Sequence, residues 1–81
     1  MLTDIQQRVR TQVALAHEGT QIVGPLYDAE SRLHEDLGFD SLDKVELILN
    51  IEEEFQIILK DEDVELMRTI GDIESTVARL L

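Results

Sequence analysis

The string Asp40-Ser41-Leu42-Asp43 places a hydroxyl at the head of fourteen residues, Leu42 to Phe55, that contain neither glycine nor proline and read as a helix. At a helix start, unpaired backbone N–H groups and the positive end of the dipole favour a phosphate, so a phosphodiester on the Ser41 oxygen would be well placed. The plainer reading is that Ser41 only caps the helix, the usual role of serine there. The charge of Asp40 beside it weighs mildly against an anion. Other chemistry-bearing residues form no recognisable set. Cysteine is absent, so any thiol must come from outside the polypeptide. His17 and His34 have no nearby nucleophile and read as surface residues.

The elements that would position Ser41 follow from periodicity. Leu2, Ile5, Val9, Val13 and Ala16 recur at spacings of three and four, which predicts an amphipathic helix from Thr3 to His17 with Arg8, Arg10 and Gln12 outward. Gly19 can end it, and Gly24-Pro25 cannot continue it. A long loop to Ala29 follows, whose Ile22, Val23, Leu26 and Tyr27 are apolar enough to pack back onto the helices. Ser31 is expected to cap a short helical turn that sends Leu33 and Leu37 inward and ends at Gly38.

Beyond Phe55, residues Gln56 to Lys60 are apolar but have no second strand to pair with, and read as a buried loop. Asp61 can cap a short third helix through Met67. Thr69 with Asp72 resembles a capping box opening a fourth helix, in which Ile70, Ile73, Val77 and Leu80 share a face. The 81 residues are expected to form a single domain, 1–81, with an all-α architecture. It is a four-helix bundle with a long loop after helix one and a short third helix.

On a wheel at about 100° per residue, helix two carries two apolar stripes. Leu47, Ile48, Ile51 and Phe55 form one; Leu42, Val45 and Leu49 form another, centred roughly 130° away and bordered by Glu46, Glu52 and Glu53. The second stripe suits a docking face for a basic partner. The alternative is a core that wraps further round the helix, and Val45 in particular is expected at least partly inside.

Charge sharpens that picture. Between Asp28 and Glu65 stand fourteen acids against Arg32, Lys44 and Lys60, which accounts for the whole net charge of −11. Such a field repels nucleic acid and anionic membrane and attracts basic proteins. A solvated acidic surface serving solubility is the bland reading of the same charge. No apolar run in residues 1–27 is long enough for a signal peptide or a membrane span, so a cytoplasmic chain without stable membrane insertion is expected.

The sequence Asp36-Leu37-Gly38-Phe39-Asp40-Ser41-Leu42-Asp43, followed by Val45-Glu46-Leu47 and Glu52-Glu53-Glu54-Phe55, resembles the bacterial acyl carrier protein family. That family's signature is Asp-Ser-Leu after Leu-Gly and before a Val-Glu-Leu helix. Weaker similarity extends from helix one to Thr69-Ile70-Gly71-Asp72-Ile73. The resemblance implies that Ser41 receives 4′-phosphopantetheine from coenzyme A through a phosphopantetheinyl transferase. It also implies that Asp40 helps present Ser41 and the transferase's magnesium, with Leu42 beside them.

Further implied are a face of Leu42, Asp43, Glu46, Leu49, Glu52 and Glu53 for acyltransferases and synthases with basic docking patches, and an acyl cleft lined by Val45, Ile48, Leu59 and Met67. In such a carrier the protein itself performs no catalysis; a monomer is the default expectation, and no resident metal is expected. Lys60 stands where the family commonly has Pro, Asn50 where a small or apolar residue is usual, and Phe39 where Ala is usual. A housekeeping fatty-acid pathway, a specialised lipid and a polyketide all stay open.

Two other classes fit the same residues less well. A calcium-binding loop starting at Asp36 puts Gly38, Ser41 and Leu47 at its third, sixth and twelfth positions. One starting at Asp61 puts Leu66 sixth and Asp72 twelfth, and neither spacing suits the ligand set. Loose divalent-ion binding near helix two is still expected to screen repulsion. A helical interaction module that never receives the arm is the remaining alternative.

Overall fold

A computed structural model describes residues 3–17 and 28–81. Among these the chain is all-helical, with α1 Asp4–Ala16, α2 Ser41–Phe55, α3 Asp61–Leu66 and α4 Ile70–Leu80. Among the described residues the one strand-like pairing is an isolated bridge between Arg32 and Thr69. The long connection after α1, with Gly19, Ile22, Val23, Gly24, Pro25, Leu26 and Tyr27, lies outside the described residues, as does Leu2.

Each helix start has a local cause. Thr3 caps α1, its hydroxyl accepting from Gln6 N at 3.1 Å while Gln6 Oε1 accepts from Thr3 N. The box foreseen for α4 is present: Thr69 Oγ1 accepts from Asp72 N at 3.1 Å, and Asp72 Oδ2 accepts from Thr69 N at 3.0 Å. In α3 the cap is Lys60 rather than Asp61, which is the first helical residue. Asp63 Oδ2 accepts from Lys60 N, because the third helical position is the one that reaches back over the first turn.

α1 packs against both α2 and α4. Val9 and Val13 on α1, Leu47 and Ile51 on α2, and Ile70, Ile73 and Val77 on α4 are fully buried, with Met67 between α3 and α4. Leu80 is only half-buried at the rim. Arg10, expected outward, is 8% exposed; its Nε donates to Glu74 Oε2 at 2.9 Å and ties α1 to α4. Arg8 is likewise not a free surface residue. It donates to Glu54 Oε2 at 2.7 Å and lies 4.4 Å above the Phe55 ring, tying α1 to α2.

The segment before α2 is a set of hydrogen-bonded turns rather than a helix. Ser31 does not cap it: the Ser31 hydroxyl turns back to Asp28, and Asp36 Oδ2 accepts from Arg32 N at 2.8 Å instead. Leu33 is buried and Leu37 half-buried, as expected. Gly38 closes the turn at φ +73°, a conformation that glycine adopts without a Cβ clash. The same segment grips the start of α4, with Ser31 O accepting from Ile70 N at 3.0 Å and Ala29 O from Gly71 N at 2.9 Å. The connector after α2 is only partly the buried loop expected of it: Leu59 is buried, whereas Ile58 is 81% exposed.

Candidate functional site around Ser41

The head of α2 separates two roles that residue type alone leaves ambiguous. Asp40 is the cap: its Oδ1 accepts from Asp43 N at 2.9 Å, and Asp43 Oδ2 accepts from Asp40 N at 3.0 Å. Each carboxylate is thereby occupied with backbone. Ser41 is the first helical residue and exposed, and its hydroxyl makes no hydrogen bond among the described residues. The capping that would have explained this serine is done by its neighbour.

Ser41 lies where two grooves meet, and Lys44 lines both. One, of ≈ 320 Å³, runs along α2 and is walled by Val45, Ile48, Leu49 and Val64 with Asp61 at its edge. The other, of ≈ 640 Å³, opens toward the start of α4 and is lined by Phe39, Met67, Arg68 and Thr69 among others. His34 borders it, with Nδ1 2.9 Å from Phe39 O. The carbonyl only accepts, so that nitrogen carries the proton in the bonded form. His17, expected at the surface, is half-buried with its ring 5.5 Å from that of Phe39.

Of the four residues assigned to an acyl cleft, Val45 and Ile48 line the smaller groove. Met67 lines the larger one, and Leu59 is buried and lines neither. Val64 joins the smaller groove without having been singled out from sequence; its place four residues after Lys60 in a short helix gives no periodic signal. On α2 the two stripes separate cleanly. Leu47, Ile51 and Phe55 are buried and Ile48 half-buried, while Leu42 is 78%, Leu49 59% and Val45 56% exposed. Val45 is therefore not a core residue, because the core contacts of α2 lie on the opposite stripe.

Glu46 and Glu53 are exposed beside that strip. Glu52 is half-buried and committed internally, its Oε2 accepting from Leu59 N at 2.8 Å and clasping the connector to α2. Among the described residues no three His, Asp or Glu side chains converge in a way that could hold a metal ion.

Ser41 is thus a solvent-exposed serine with a hydroxyl unbonded among the described residues, on the first turn of a capped helix between two grooves. Residues 5–77 match the family described as Phosphopantetheine attachment site, and the chain belongs to that family. It is a carrier protein with a covalently attached 4′-phosphopantetheine arm. The residues around Ser41 fit such a group: the oxygen is accessible, the neighbouring acids are held by backbone, and grooves are available on either side. No helix among the described residues is long and apolar enough to cross a membrane.

Proposed function

We propose that this chain is an acyl carrier protein and that Ser41 is the residue bearing its arm. The observation that carries this reading is the unbonded, exposed Ser41 hydroxyl beside an Asp40 that does the capping in its place. When attached, the arm supplies the thiol that holds an acyl group as a thioester. The protein's own side chains present and shelter; none catalyses.

Leu42, Glu46, Leu49 and Glu53 form the face offered to a phosphopantetheinyl transferase and to acyltransferases and synthases with basic docking patches. Asp43 and Glu52 lend it charge while serving as internal ties. Its support is an exposed apolar strip rimmed by carboxylates, which gives steering together with desolvated contact area. Val45 and Ile48, with Leu49 and Val64, shelter the cargo's near end, and Leu59 and Met67 are the core residues that would move for a longer chain. Met67 suits that role because its unbranched side chain repacks at little cost. The carrier works as a cytoplasmic monomer of one domain, in fatty-acid, specialised-lipid or polyketide synthesis.

Intact-mass spectrometry after incubation with coenzyme A, magnesium and a broad-specificity phosphopantetheinyl transferase tests the assignment. A single phosphopantetheine mass on the wild type and none on Ser41→Ala is expected. Addition to both proteins would place the arm elsewhere, and addition to neither would favour an interaction module without an arm.

A further inference from the structure

Of the seven basic residues, Arg8, Arg10, Arg32 and Arg79 hold carboxylates. Lys44, Lys60 and Arg68 make no ion pair among the described residues. Two of these three, Lys44 and Arg68, line the same ≈ 640 Å³ groove as Ser41. They reach it from different elements, Lys44 from the first turn of α2 and Arg68 from the α3–α4 connector.

In a chain of net charge −11, cations left without a carboxylate are unusual. The acids lining this groove are all engaged. Asp40 accepts from Asp43 N, Asp72 Oδ2 accepts from the backbone N–H groups of Arg68 and Thr69, and Glu35 lies 3.9 Å from Arg32. Asp72 thus takes the main chain of Arg68 and leaves its guanidinium available. The groove presents two uncommitted positive charges to whatever anion is placed at Ser41.

We infer that Lys44 and Arg68 form a two-cation clamp for the phosphodiester that joins the arm to Ser41. The inference rests on the reading of Ser41 as the attachment residue. Without the clamp, the added charge would meet Asp40 and Asp43 within one helical turn; with it, the near end of the arm is held against the protein. Guanidinium and ammonium are both suited to the task, the first through paired N–H donors and the second as a point charge.

The test uses the full chain loaded by a transferase, as wild type, as Lys44→Ala/Arg68→Ala, and as the charge-preserving Lys44→Arg/Arg68→Lys. Mass spectrometry establishes that each carries the arm. The ³¹P NMR signal of the phosphodiester is then followed from roughly 0.01 M to roughly 1 M salt, over which the screening length shrinks from about 30 Å to about 3 Å. The clamp predicts a broad, salt-dependent resonance in the wild type and in the charge-preserving variant. In the alanine variant the movement is lost and the line is already narrow at low salt.

Identical ³¹P behaviour in all three loaded proteins would overturn the clamp and leave Ser41 as the attachment residue. Loading that fails only in the alanine variant would also overturn it, since the cations would then serve the transferase step. No arm on any of the three would remove the Ser41 reading, and the clamp with it. Neither side chain holds a carboxylate among the described residues, so unchanged melting of the unloaded variants is the control for folding.

Discussion

Arg10 sits one position off the apolar stripe of α1, between Val9 and the turn carrying Val13 and Ala14, and there its guanidinium is enclosed with Glu74. Removing one partner of a buried ion pair leaves the other charge desolvated, at a cost of about 3–5 kcal/mol. Arg10→Ala, which strands the buried Glu74 carboxylate, is therefore expected to lower stability by about that amount in a denaturant titration. An exposed pair such as Arg32–Glu35 would give less than about 1 kcal/mol in the same measurement.

Asp63 is a second residue whose charge is structural. Hydrogen bonding from Arg79, then from the Lys60 backbone N–H, holds its carboxyl below the ordinary aspartate value. A depressed carboxyl contributes stability that is complete above its unfolded value of about 3.9 and is lost as pH falls through the lower folded value. The stability gap between the wild type and Asp63→Asn should stay constant at neutral and mildly acid pH and close only below about pH 3.9. A gap that closes near neutrality would contradict this assignment.

At the scale of elements, the start of α4 is the joint on which the site rests, since it is held by the turn segment that leads into Ser41. A Cβ on Gly71 would lie 2.8 Å from Ala29 O and 3.1 Å from Ala29 Cβ. Backbone cannot yield as a side chain would, so Gly71→Ala should cost about 1–3 kcal/mol in thermal or denaturant unfolding. An unchanged stability would mean that the 28–31 segment does not grip α4.

The helices most legible in the sequence are those with a side-chain device at their start. Thr69 with Asp72 announces α4, and a glycine-free run after Asp40 announces α2. Two cap-forming residues side by side announce the cap of α2 without saying which one acts. Arg10 and Glu52 were illegible because a charged residue on the flank of a stripe turns inward only when a partner from elsewhere in the chain is there to meet it. The grooves, and the two uncommitted cations beside Ser41, depend on the meeting of α2 with the α3–α4 connector and leave no local pattern.

Over the whole molecule, charge is the dominant asymmetry. The fourteen acids between Asp28 and Glu65 face three bases, and among the described residues only Asp4, Glu35, Asp36, Glu54, Asp63 and Glu74 hold a cation. Repulsion among the rest outweighs the few exposed pairs that salt would weaken. The melting temperature should rise with added salt and further with divalent ions, and salt-independent melting would count against this account. The proposed docking of basic partners on the exposed strip of α2 would draw on the same field.

The absence of cysteine makes the central claim directly measurable. After transferase treatment and removal of free coenzyme A, a colorimetric thiol titration should find one thiol per chain in the wild type and none in Ser41→Ala, because every thiol present must belong to the arm. Equal thiol content in the two proteins, or none in either, would contradict the assignment of Ser41 as the residue that carries it.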